Sequence, residues 1–317
     1  MEREALLWLI VHQHPPKFNA NNTVTLSHPY SDGDGLVTRI NRLMRRCLPD
    51  ILSGKVVILT GHGFRGYDDG EKGFETHLQP FSNYDEKGIS KEVYLNLIIT
   101  QEQYEANYKY PPASLLNKDH NWWLCILCNY FLRPKENVMS RIRRIRQNLP
   151  SNYIGLHIRR GDHPRGLKYT HEDYLKIVRH KIIPLWREHF KDREPVIFLC
   201  TDDPNTISQL IEDCEYKIVT QGSLISHQIS HPGESASNVV IANDHQGWSL
   251  EVGEEVYTDL FMLSRSNFIC GFMLSQVTIV ASMISMANNN LITNPFAVDL
   301  TDHIDIPPDS GYVIKFQ

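Results

Sequence analysis

The stretch Tyr153-Ile154-Gly155-Leu156-His157-Ile158-Arg159-Arg160-Gly161-Asp162 decides how this chain is read. Its apolar start, Tyr153 to Leu156, predicts a strand of a parallel sheet, because such strands are covered on both faces and read as unbroken apolar runs. The strand delivers a histidine, two arginines, a glycine and an aspartate into the loop after its carboxyl end. Open α/β sheets bind ligands at that edge. Two adjacent guanidiniums stay charged and present forks that match phosphate oxygens, so they point to an anionic ligand. The competing reading is an ion-pair turn, with Asp162 folded back on Arg159 or Arg160.

The 317 residues are 41% hydrophobic and 22% charged, enough for two domains with separate cores. A net charge of -5 argues against a nucleic-acid surface, so an anion must be held by local geometry rather than by the overall field. Cys47, Cys125, Cys128, Cys200, Cys214 and Cys270 sit mostly in apolar runs and read as small buried hydrophobes, not as a disulfide framework. Cys125 and Cys128 have metal-like spacing, but they lie inside the apolar run Trp122 to Phe131 with no second pair in register. The run Ala5 to Val11 is too short to span a bilayer.

Upstream of the arginine stretch, Glu4 to His12 predicts a short helix and Asn21 to Leu26 a first strand. Ser31-Asp32-Gly33-Asp34-Gly35 follows, and then Val37, Ile40, Leu43, Met44, Cys47, Leu48 and Ile51 mark one face of a helix. A glycine turn between strand and helix lets a ligand approach the backbone and the free N–H groups. Asp32 and Asp34 also have the form of a metal clamp, although a solvated turn is favoured because arginines already supply positive charge. Val56 to Thr60 predicts a strand, Gly61 to Gly73 a polar loop containing Tyr67, and Lys91 to Tyr108 a helix. Trp122 to Leu132 predicts a buried helix, and Asn137 to Gln147 a basic one with a solvated face. Leu149-Pro150-Ser151-Asn152 is the expected boundary, giving domains 1–150 and 151–317.

Downstream, Thr170 and Asp173 form a predicted capping box. Pro195 to Cys200 predicts a strand ending in Thr201-Asp202-Asp203-Pro204, where Asp203 can cap a helix that Pro204 opens. Tyr216 to Val219 is a further strand, and Ser223 to Gly247 a long polar loop. Glu251 to Ser264 predicts a helix carrying Asp259, Phe268 to Gly271 a strand, and Ser275-Gln276 the start of a helix whose N–H groups could bind phosphate. Strand-loop-helix units on both sides of residue 150 imply an α/β fold of two lobes with a cleft between them.

These residues carry a resemblance. His157-Ile-Arg159-Arg160-Gly-Asp162, Thr201-Asp202-Asp203-Pro204, and Asp259 to Ser264 with Ser275-Gln276-Val277 resemble the three peptide blocks of the α-1,6-fucosyltransferases. That family comprises the core fucosyltransferases of N-glycans and the rhizobial nodulation-factor enzymes. Gly73-Phe74-Glu75-Thr76 through Pro80, and Trp122-Trp123 through Arg133-Pro134, agree with it in order. The resemblance implies a GT-B-like pair of Rossmann-like lobes, an N-terminal one on the acceptor side and a C-terminal one for the GDP-sugar. It implies inverting, metal-independent transfer of fucose from GDP-fucose, with no cofactor, to a glycan or glycoprotein hydroxyl, as an α-1,6 link to GlcNAc. By the same resemblance His157 and Asp259 contact guanine and Tyr67 the ribose. Arg159, Ser275, Gln276 and the Gly33 and Gly35 backbone hold the diphosphate. Arg160 stabilises the departing phosphate, while Asp162, Asp202 and Asp203 fix the loops.

One departure bears on chemistry. Family members carry an acidic residue after the arginine motif as the base, whereas His163-Pro164-Arg165-Gly166-Leu167-Lys168-Tyr169 has no carboxylate. His163, which titrates near neutral pH, is the candidate in its place. A GDP-sugar-binding protein that has lost efficient transfer is therefore the alternative, and a metal-dependent transferase using Asp32 and Asp34 a third. The expected partners are GDP-fucose and a glycan acceptor, with no nucleic acid, no membrane segment in this chain, and a homodimer left open. The chain reads either as a compact soluble form or as a piece of a longer one. A Golgi or secretory lumen follows from family analogy, with weak support from the sequon Asn21-Asn22-Thr23.

Overall fold

A computed structural model describes residues 1–27, 35–60, 73–85, 87–91, 99–159, 170–221, 250–271, 275–288 and 297–299. The chain divides into two compact units, Met1–Lys135 and Glu136–Gln317, each α/β with parallel strands.

The first unit pairs β1 (Thr23–Ser27) with β2 (Val56–Thr60) in parallel, joined through α2 (Leu36–Leu52). Val37, Ile40, Leu43, Met44, Cys47, Leu48 and Ile51 are all buried, as their helical spacing predicts. Helix α1 (Glu2–His12) also begins this unit. The turn from α2 into β2 needs Gly54, whose φ is +87°, a conformation that L side chains resist. Beyond α1, the buried Gln13 accepts the amide of Val57 through Oε1 at 3.0 Å, which satisfies a donor of β2. The helix expected from Lys91 to Tyr108 is shorter: residues 92–98 lie outside the described set, and α3 is Gln101–Asn107, begun by a Thr100–Gln103 capping box. Helix α4 (His120–Phe131) buries Cys125 and Cys128 as core thiols and packs on α1 and α2.

In the second unit the strands β3 (Ile154–Ile158), β4 (Val196–Thr201), β5 (Lys217–Val219), β6 (Phe268–Gly271) and β7 (Ala297–Asp299) form one parallel sheet in the order β5-β4-β3-β6-β7. The chain winds outward from β3 through β4 to β5, then returns to build β6 and β7 on the other side. The order therefore reverses between β3 and β6, the position at which doubly wound sheets open a crevice at their carboxyl edge.

Alternation along the strands assigns the two faces. Ile154, Leu156, Ile158, Ile197, Leu199, Phe268 and Cys270 form one apolar face under α6 (His171–Ile177), α7 (Ile183–Phe190) and α8 (Pro204–Asp213). Between α6 and α7 runs a π-helical turn, Val178–Ile182. Pro184 lacks an amide hydrogen and crowds the carbonyl four residues back, and the wide turn ends just ahead of it while Val178, Ile182, Ile183 and Trp186 stay buried. Gly155 and His157 alternate with those residues and so belong to the other face, where α9 (Leu250–Ser264) and α10 (Gln276–Ala287) pack against each other and the sheet. Helix α5 (Glu136–Arg146) packs on α9 in this unit, although it lies before residues 149–152.

Two glycines set how closely those helices approach. A Cβ on Gly155 would stand 3.0 Å from Leu263 Cδ2 on α9 and 2.7 Å from Ser266 Oγ just past it, and one on Gly271 2.6 Å from Thr278 Oγ1 on α10. Only hydrogen fits at either place.

Candidate functional site

The carboxyl edge of β3, β4 and β6 carries His157, Arg159, Asp202, Asp203, Ser275 and Gln276 among the described motif residues. His157 is the fourth residue of β3, 5% exposed, and its Nδ1 lies 2.9 Å from Thr278 Oγ1 on α10. Burial, with the nearby Arg159 cation as a second cause, lowers its pKa to about 3, so the ring is neutral across the physiological range. A neutral imidazole keeps one donor and one acceptor nitrogen.

Arg159 follows β3 directly and forms an ion pair with Asp202, the residue just past β4. The pairing is dictated by register: Ile158 stands opposite Thr201, so the next residue along each strand meets its counterpart. Asp202 is 7% exposed and Arg159 31%, so the carboxylate is the fixed end and steers the guanidinium at the sheet edge. Arg159 is thus ion-paired, but with Asp202 of the neighbouring strand; the turn expected through Asp162 lies outside the described residues. Asp203 plays the capping role its sequence suggests, accepting from the Asn205 amide at 3.1 Å and from Thr206 Oγ1 at 2.6 Å, with Pro204 opening α8. The Thr170–Asp173 capping box also forms. Ser275 is the N-cap residue of α10 but makes no side-chain capping hydrogen bond, and Gln276 is the first helical residue.

Asp259 lies on α9, buried against the same face as His157. Gln221 Nε2 donates to its Oδ1, and the Cys200 thiol is hydrogen-bonded to its carboxyl. Cys200 is the strand partner of His157, which ties the histidine and the acid to one patch of sheet. Burial raises the pKa of Asp259 to about 8; the Glu255 charge pushes it the same way, while Cys200, Gln221 and Arg141 oppose the rise. This acid exchanges its proton near neutral pH.

Gly35 is the N-cap residue of α2, with φ -64° and open space where a Cβ would stand. Nothing in that local geometry demands a glycine. Arg160, Asp162, His163, Tyr67, Gly33, Asp32 and Asp34 lie outside the described residues, as does the loop 223–247. Among the described residues no group of three or more His, Cys, Asp and Glu is placed to hold a metal, and no helix is long and apolar enough to cross a membrane.

No family model matches the chain, and no curated protein does. Among solved structures the chain is similar to NodZ α-1,6-fucosyltransferase soaked with GDP-fucose, at 12% identity over 83% of this chain and 92% of that one, with a TM-score of 0.47. It is similar to fucosyltransferase NodZ from Bradyrhizobium at 14% identity over 82% and 92%, TM-score 0.46. A mutant of Arabidopsis thaliana FUT1 in complex with GDP matches at 13% identity over 89% and 72%, TM-score 0.49. These neighbours are fucosyltransferases.

Four partners of the site escape a reading by motif. Cys200 passes for a core hydrophobe, and its role emerges only from the register with His157. Thr278 is one of several small residues on α10. Gln221 is a lone amide beside a polar loop. Arg141, expected on a solvated helix face, instead donates from Nε to Gln221 Oε1 at 2.8 Å and lies 3.9 Å from Glu254. The i, i+3 spacing of Arg141 and the basic residues around it conceals this, because Val138, Ile142 and Ile145 show only which way the helix packs.

Proposed function

We propose that the chain is an inverting glycosyltransferase that moves fucose from GDP-fucose to a glycan hydroxyl, as an α-1,6 link to GlcNAc, without a metal. The observation that carries this reading is the set of motif residues at the reversal point of one parallel sheet: His157 near the end of β3 and Arg159 just after it, Asp202 and Asp203 after β4, and Ser275 with Gln276 after β6. Crevices of that kind accept nucleotides, with phosphates at a helix N-terminus.

In this scheme His157 and Asp259 meet guanine and Tyr67 the ribose. Arg159, Ser275, Gln276 and the backbone at Gly33 and Gly35 bind the diphosphate, and the Asp202 pair keeps the Arg159 fork aimed. Arg160 stabilises charge near the departing phosphate, Asp162 fixes its loop, and His163 takes the acceptor's proton as the new C1–O bond forms and the old one breaks. Each preorganised donor contributes about 3 kcal/mol where charge on the leaving oxygen is greatest. A secretory compartment and a glycoprotein acceptor belong to the same proposal.

The missing carboxylate at residues 163–169 favours a second reading, a GDP-sugar-binding protein with little or no transfer. Titration calorimetry with GDP, coupled to turnover of GDP-fucose on a GlcNAc-bearing glycan in excess chelator, separates the two. Transfer that persists in chelator supports the proposal. Nucleotide binding with neither transfer nor donor hydrolysis supports the second reading.

A further inference from the structure

Gln221, just past β5, has both ends of its amide engaged. Its Oε1 accepts from Arg141 Nε at 2.8 Å, and its Nε2 donates to the Glu255 carbonyl at 2.9 Å and to Asp259 Oδ1. A guanidinium can only donate and a backbone carbonyl can only accept, so the amide has one permitted orientation. Arg141 is itself held between Gln221 and Glu254, and Asn137 Nδ2 donates to Glu254 Oε1 at 2.9 Å. A chain of polar contacts thus runs from α5 through Gln221 to the acid on α9.

We infer that Arg141 and Gln221 are positioning residues that hold Asp259 as an acceptor toward the N1–H and N2–H donors of guanine, and thereby set the preference for guanine over adenine diphosphates. The inference rests on the reading of Asp259 as a base contact given above. Gln221 donates to Oδ1 and so favours the ionised carboxyl, both of whose oxygens can only accept. Adenine offers a lone pair at N1 and has no 2-amino group, so it meets an acceptor with an acceptor. A carboxyl without that donor keeps its proton more readily and can offer it to that lone pair. Sites built to pair a specific polar group reject analogues lacking it far more strongly than apolar pockets reject a size change.

The test is titration of GDP, IDP and ADP into the full chain, with donor KM and kcat measured alongside, for wild type, Gln221→Leu and Arg141→Met. Gln221→Leu should weaken GDP about tenfold and lower the GDP-to-ADP affinity ratio at least about tenfold, raising donor KM while kcat at saturation changes little. Arg141→Met should move the ratio the same way by a smaller factor, because the Glu255 carbonyl alone then holds the amide's orientation. IDP, which lacks only the 2-amino group, should lose less between wild type and Gln221→Leu than GDP does. A merely structural role would weaken every nucleotide alike and leave the ratio unmoved. A folded Gln221→Leu protein with the wild-type ratio overturns the inference, and if that variant does not fold, Arg141→Met decides by the same ratio. Wild type that binds no GDP overturns the nucleotide reading instead, a result separable from an unchanged ratio.

Discussion

Arg159 and Asp202, one residue past the ends of two neighbouring parallel strands, meet in an ion pair whose carboxylate is buried and whose guanidinium is part-exposed. The register supplies the alignment and the buried acid supplies the aim. Arg159→Ala should lower kcat/KM for transfer by at least about 2 kcal/mol, roughly thirtyfold, as expected for loss of a preorganised charge-stabilising donor. Asp202→Asn should cost about 1 kcal/mol of stability, because partial exposure of the arginine screens the pair. Steady-state kinetics and urea unfolding read both, and near-wild-type turnover of Arg159→Ala would remove it from the diphosphate site.

Under the proposed function, the raised pKa of Asp259 gives nucleotide binding a pH signature. If the base is gripped by the carboxylate, binding at pH below about 8 requires loss of a proton, so GDP affinity should strengthen about tenfold per unit from pH 6 toward 8 and then level off. In the ligand-free protein the sign is opposite: a pKa raised in the folded state gives stability that is full below about 4, the unfolded value, and is lost as pH climbs through about 8. Asp259→Asn should flatten both profiles. Calorimetry across this range is the check, and a flat wild-type curve contradicts the assignment.

Thr278 is fully buried and faces the His157 ring nitrogen. Thr278→Val keeps the volume and deletes the hydroxyl, leaving a buried polar nitrogen without that partner. The expected cost is about 1–2 kcal/mol of unfolding free energy, accompanied by weaker GDP binding. Loss of stability with unchanged GDP affinity would confine His157 to a structural role.

Gly155 and Gly271 offer a matched pair of substitutions. Alanine at either meets an oxygen under 3.0 Å away, so each should destabilise by about 1–3 kcal/mol as the helix is pushed off the sheet. At Gly271 the displaced atom is Thr278 Oγ1, the partner of His157; at Gly155 it is Ser266 Oγ, which donates to the Leu263 and Phe268 carbonyls. GDP affinity should therefore fall more for Gly271→Ala than for Gly155→Ala at equal loss of stability, as thermal melts with and without GDP would show.

Much of this architecture is written in short-range pattern. The apolar run before His157, the helical spacing from Val37 to Ile51, and the caps at Thr170 and Asp203 all mark elements found where they were expected, because each is governed by neighbours within a turn or two. The pattern fails where distant segments decide. Arg141 leaves the solvated role because Gln221, eighty positions away, comes to meet it.

The cysteines carry a last implication. Burial suppresses ionisation of the thiols of Cys47, Cys125, Cys128, Cys200 and Cys270, while Cys214, at the end of α8, is only partly covered. Alkylating reagents attack the thiolate, so the native fold shields five sulfurs and leaves the sixth most open. Each slower adduct would time the breathing of the element that shelters it, and the adduct at Cys200 would clock the patch of sheet it shares with His157 and Asp259.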